Sequence, residues 1–147
     1  MRPGVRIGLD PGSVRIGVAV SDDAGVLATP RDALPGGSES FEGVASLVQE
    51  LAPLEIVIGI PLSMTGVEGP SARKTREWAT RLAGHVDCEV RLVDERLSTV
   101  QAQRSYREQG RSTRTTRDRI DSAAAAVVLQ FALDAERSSG LAPGEVL

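Results

Sequence analysis

The run LEIVIGIPL, residues 54–62, places the tightest limit on the fold. It is nearly continuous in β-branched residues and leucine. A strand of that composition is stable only with apolar layers on both faces, as inside a parallel sheet flanked by helices. Helical spacing lies on either side of it. Phe41, Val44, Leu47, Val48 and Leu51 recur at helical intervals and Pro53 closes that helix. A second helix is predicted from about Ser71 to Gly84, with Trp78 and Leu82 inward. CEVRLVDE, residues 88–95, then reads as another strand.

Before this core, the pattern changes to strict alternation. Val5, Ile7 and Leu9 alternate with Arg6 and Gly8, and Ile16, Val18 and Val20 form a second alternating set. Asp22-Asp23-Ala24-Gly25 signals a turn, and Val26 to Thr29 reads as a third strand stopped by Pro30. Short turns join these strands, so they form an antiparallel meander. After residue 95, Ser98 and Gln101 have capping-box spacing for a third helix. A basic loop follows, and IDSAAAAVVLQFALDAE, residues 120–136, is a final helix apolar around most of its circumference. The order βββ-α-β-α-β-α-α implies an α/β fold, a mixed sheet with helices on its faces. A single domain is expected over residues 1–137, with residues 138–147 a flexible tail.

Composition removes several function classes. One cysteine, Cys88, excludes an intramolecular disulfide and a cysteine metal site, and one histidine, His85, argues against histidine-centred catalysis. Metal chemistry would rest on carboxylates, which favour Mg²⁺ or Mn²⁺. No apolar run is long enough for a membrane span, and the N-terminus lacks a signal-peptide pattern, so a cytoplasmic protein without membrane association is expected. The net charge of −3 does not advertise a nucleic-acid partner. Its distribution does: Arg104, Arg107, Arg111, Arg114, Arg117 and Arg119, against Glu108 and Asp118, give a local excess of +4. Such a segment suits phosphate contact, although a solvated loop would look the same.

Acidic residues in apolar settings mark the candidate site. Asp10 ends the first strand, Asp94 and Glu95 end the fifth, and Asp121 opens the last helix. Functional groups gather at strand carboxyl ends in open sheets. If strands one and five are neighbours running the same way, these acids share one rim. Clustered carboxylates repel unless a cation neutralises them, and two hard cations so held can activate water against a phosphodiester. Each acid also has a simpler reading. Asp10-Pro11-Gly12 fits a turn. Asp94-Glu95-Arg96 fits a solvated charge run. Asp121 fits an N-cap before Ser122, although Thr115 and Asp118 would start that helix earlier and leave Asp121 inside it. His85 reads as a surface residue, and Cys88 as a small packing group.

Four segments, GLDPGSVRIGVAVSD, IVIGIPLSMTG, VDERLSTVQAQ and RIDSAAAAVVLQ, together resemble the YqgF family, also called RuvX, of the ribonuclease H-like superfamily. The resemblance spans roughly residues 4–135 and implies a five-stranded sheet ordered 3-2-1-4-5 with strand two antiparallel. Strand four then separates strands one and five, which corrects the neighbour assumption and leaves both on the rim. Asp10 matches the family's first-strand aspartate, Glu95 its second acid with Asp94 beside it, and Asp121 the aspartate of the last helix. Residues 107–117 match a loop expected to be mobile near the active site. Many nucleases of the superfamily carry a glutamate at the end of strand four, where this chain has Gly59-Ile60-Pro61-Leu62.

The resemblance implies an endonuclease using Mg²⁺ or Mn²⁺, with maturation of the 5′ end of 16S ribosomal RNA precursor as its task. Asp10, Glu95 and Asp121 would hold one or two ions. Arg96 and the loop residues Arg107, Arg111, Arg114 and Arg117 would hold the backbone. A Holliday-junction resolvase acting on branched DNA is the alternative with the same chemistry. A non-catalytic nucleic-acid-binding domain is the alternative from another class. Three intact acids argue against it, because a binder gains nothing from an electronegative cleft facing phosphate. A two-domain actin-like phosphotransferase does not fit in 147 residues. No dimer face is legible, and a monomer or weak homodimer is expected.

Overall fold

Residues 1–97 and 122–147 are described by the computed structural model. Six strands form one sheet in the order β3-β2-β1-β4-β5-β6. They are β1 (Arg6–Pro11), β2 (Arg15–Ser21), β3 (Ala28–Pro35), β4 (Glu55–Ile60), β5 (Glu89–Asp94) and β6 (Glu145–Val146). The α-helices among the described residues are α1 (Ser40–Leu51), α2 (Pro70–Ala83) and α3 (Ala123–Ser139). β1, β4 and β5 run parallel to one another, whereas β2 is antiparallel to β1 and β3, and β6 to β5. β4 is central and both its faces are covered, as its composition requires. Ile56, Ile58 and Ile60 pack with Ile7, Leu9 and Leu92 under α1 and α2. Val57 packs with Val93 under Val128, Leu129 and Leu133 of α3. Each buried aliphatic side chain contributes about 1.5–3 kcal/mol.

Three features depart from the sequence reading. β3 runs to Pro35 and does not stop at Pro30. It is an edge strand, so the missing N–H of Pro30 can face away from β2 without breaking the ladder. The sheet has six strands where five are expected. The sixth comes from the segment expected to be loose: α3 continues to Ser139, and Glu145–Val146 pairs with Leu92 and Arg91 on the open edge of β5. The helix expected from Ser98 and the arginine-rich loop lie outside the described residues. No helix among the described residues is long and apolar enough to cross a membrane.

α3 lies almost on the sheet backbone. A Cβ at Gly8 would fall 2.8 Å from the Ala125 carbonyl oxygen and 2.8 Å from Leu129 Cβ. The small residues Ala123, Ala124 and Ala125, all buried, permit that approach. Ser122, fully buried, fixes where the helix starts. Its Oγ accepts the Val18 N–H at 2.9 Å and donates to the Arg31 carbonyl oxygen at 2.5 Å. Val18 and Arg31 face each other beside a register shift in the β2–β3 pairing, so the hydroxyl is spliced into the ladder where the strands separate.

An ion cluster closes the amino-terminal end of the parallel strands. Arg6, 1% exposed, donates to Glu136 Oε2 at 2.7 Å and to the backbone oxygens of Gly4 and Arg2. Arg2 bridges Glu136 and Glu55, and Arg91 Nε donates to Glu55 Oε2 at 2.8 Å. Burial pushes the Glu136 carboxyl up, but hydrogen bonds from Arg2 and the charges of Arg2 and Arg6 outweigh it and hold the group below its ordinary range.

Candidate active site

The carboxyl ends of β1, β4 and β5 form the opposite rim. Leu9 of β1 pairs with Ile58 of β4, and Gly59 and Ile60 pair with Val93 and Asp94 of β5. Alternation then decides which acids face the same way. Gly8 and Gly59 both meet α3, through Leu129 and Val128. Asp10, two residues beyond Gly8, shares that side. Glu95 follows Val93 by the same step, and a Cβ at Gly59 would stand 3.6 Å from Glu95 Cβ. The bare backbone of Gly59 thus lies between the two acids. Asp10, Gly59 and Glu95 line one open cavity of about 540 Å³.

Asp94 does not line it. Its carboxylate accepts Arg96 Nη2 at 2.6 Å, Arg96 Nε at 3.0 Å and the Arg96 backbone N–H at 3.0 Å. The guanidinium hydrogen bond holds the Asp94 carboxyl below its ordinary range. Arg96 also donates to the Met64 carbonyl oxygen at 3.2 Å, pinning the turn after β4. The guanidinium expected on a substrate backbone is therefore bound within the chain. Asp121 lies outside the described residues, as do Arg107, Arg111, Arg114 and Arg117. Ser122, beside Asp121 in sequence, is described and anchored as above.

The far wall of the cavity escaped the sequence reading. Ser71, Lys74, Thr75 and Trp78, all on α2, line it with the acids. Their spacing puts them on one helix face. The available signal was that Lys74 is the chain's only lysine and Trp78 its only tryptophan. His85 is exposed, its ring stacked on Phe41 with centroids 4.7 Å apart, and neither it nor Cys88 reaches the cavity. Burial pushes the Cys88 thiol up, keeping it protonated at neutral pH.

The donors suit a hard divalent cation, because carboxylate oxygens match Mg²⁺ or Mn²⁺ and no sulfur or imidazole competes at the cavity. Among the described residues two acids reach it, and no set of three or more His, Cys, Asp or Glu that could hold a metal occurs.

A sheet of this order, with β2 reversed and acids at the carboxyl ends of β1 and β5, defines a ribonuclease H-like domain of the RuvC type. A RuvC from T. thermophilus, solved in complex with a Holliday junction substrate, superposes with a TM-score of 0.57 at 12% identity, over 97% of this chain and 99% of that one. The chain belongs to the RuvX family, whose model, described as Holliday junction resolvase, matches residues 4–135. A relative from Nocardioides sp. is 48% identical over all of this chain and 98% of its own length, and one from Thermobifida fusca is 46% identical over the same shares. Both carry the name "Putative pre-16S rRNA nuclease".

Proposed function

We propose that this protein is a metal-dependent endonuclease that trims the 5′ end of 16S ribosomal RNA precursor. One observation carries the reading: β1 and β5 deliver Asp10 and Glu95 to a single open cavity, across a residue without a side chain. Asp10 and Glu95 would hold Mg²⁺ or Mn²⁺, with Asp121 as the third acid. The ion supplies charge stabilisation for the phosphodiester and a more acidic water. Arg107, Arg111, Arg114 and Arg117 supply phosphate contacts that hold the strand against the cavity. The names of the two relatives support ribosomal RNA as substrate.

Resolution of Holliday junctions is the second reading, favoured by the description of the family model and by the RuvC likeness. One experiment separates them. A 5′-extended 16S precursor fragment and a four-way DNA junction are incubated with Mg²⁺, Mn²⁺ or EDTA. Cutting of the RNA alone, abolished by EDTA, supports the maturation nuclease. Cutting of the junction alone replaces it with the resolvase. Binding without cutting of either, in every metal, leaves a non-catalytic domain.

A further inference from the structure

The α2 wall has a chemistry distinct from that of the acids. Lys74 is the one cationic side chain among the described residues lining the cavity. Nearby arginines are bound within the chain, Arg96 to Asp94 and Arg76 to Glu68 and Glu145. Lys74 forms no ion pair among the described residues. One helical turn further along, Trp78 ends a column of rings. His85 stacks on Phe41 at an interplanar angle of 10°, and Phe41 on Trp78 at 23° with centroids 5.6 Å apart. Trp78 Nε1 donates to the buried Ser40 Oγ at 3.2 Å, which sets the rotation of the indole. Phe41 is not part of the cavity wall, so the uncovered portion of the indole borders the space.

A fixed aromatic ring, an available ammonium and two hydroxyls on one helix face are the contacts that a single-stranded nucleotide uses. The base stacks on the ring and the phosphate meets the cation. A base inside a duplex has both faces covered by its neighbours and cannot make the first contact. We propose that the α2 wall binds the nucleotide next to the scissile phosphodiester in unpaired form, with its base on Trp78 and its phosphate on Lys74, Ser71 and Thr75. The inference rests on the nuclease reading for what the acids do. To that reading it adds a substrate requirement: the strand is single-stranded where it passes α2.

Because Trp78 is the only tryptophan, tryptophan emission comes from this wall alone. The full chain is titrated in EDTA with a short labelled single-stranded RNA, the same sequence as a duplex, and an abasic strand of equal length. Emission is read beside the anisotropy of the label. The single strand should quench Trp78. The duplex should bind with little quenching, and the abasic strand should bind with none. Lys74→Ala should weaken single-strand binding roughly tenfold, the worth of one charged contact, and lower the salt slope by about 0.7. Lys74→Arg should restore both. The side chain is exposed, so these variants leave folding intact.

Single-strand binding without quenching overturns the stack, and an unchanged affinity and salt slope in Lys74→Ala overturn the phosphate contact. Equal quenching by the duplex overturns the requirement for an unpaired base. No binding of any strand overturns the whole inference. Metal-dependent cleavage without quenching refutes the α2 wall and leaves the nuclease standing. Quenching without cleavage in Mg²⁺ or Mn²⁺ does the reverse.

Discussion

The two ends of the parallel strands both carry carboxylates and treat them in opposite ways. At the amino-terminal end, Glu55 and Glu136 are buried and bound by Arg2, Arg6 and Arg91. At the carboxyl end, Asp10 and Glu95 border an open cavity whose described wall offers one lysine across the space. Asp94 stands beside Glu95, is bound by Arg96 and does not line the cavity. An acid matched by arginine inside the fold serves the fold. An acid brought to an open cavity can serve a ligand. The difference lies in burial, and acid content alone does not reveal it.

The sharpest break between the two ends is expected from Asp10→Asn. Cleavage of the precursor RNA should fall to the level of a protein-free control, while the urea midpoint moves by the equivalent of less than about 1 kcal/mol. Wholesale loss of stability would place Asp10 with Glu136 as a structural acid. Glu136→Gln should do the opposite. Removing one anion leaves the Arg6 guanidinium buried without its partner, which costs about 3–5 kcal/mol in urea unfolding at neutral pH. A loss below 1 kcal/mol would mean that the cluster does not bind its charges as drawn.

Acid should separate the ends in the same way. The Glu136 carboxyl is held below its ordinary value of 4.5, so the unfolded chain takes up the proton first. Its stabilisation is full above about pH 4.5 and is lost as the pH falls through the lower folded value. Wild-type stability should therefore drop more steeply below pH 4.5 than that of Glu136→Gln, and parallel curves would contradict the assignment. Ser122→Ala comes next in size, at about 1–3 kcal/mol, because it strips partners from the Val18 N–H and the Arg31 carbonyl. The smallest effect belongs to Arg96→Ala, because a solvent-screened pair adds little to stability. Titration of Asp94, followed by NMR, should then move up toward its ordinary range.

The rim acids were legible because strand alternation and strand ends are local patterns. The run at 54–62 sufficed to demand a covered central strand, and Asp10 and Glu95 follow from where their strands stop. The residues alone leave Asp94 and Glu95 open, the family resemblance points to Glu95, and in the structure Glu95 lines the cavity while Arg96 binds Asp94. Other features depend on distant partners. Helical spacing shows that one face of α2 is buried, but not that its first turns reach the rim, so Trp78 reads only as an inward residue and Lys74 not as a site residue. The two residues of β6 carry no periodicity and become a strand only because β5 offers an open edge. Pro30 stops a central strand and is tolerated in an edge one, and its place in the sheet is not a local property.

The amino-terminal ion cluster also has a consequence in time. Arg6 and Glu136 are 130 residues apart in sequence, and Arg2 and Glu136 are 134 apart. As the polypeptide leaves the ribosome, β1 emerges long before α3, so the Arg6 guanidinium lacks the Glu136 anion and that face of the strand lacks its helix. Glu136 brings the anion and α3 the cover, and both are made more than a hundred residues later. Contacts of such separation form slowly. This end of the sheet is therefore completed only once α3 has been made, and until then the face of β1 that α3 covers is open to other chains.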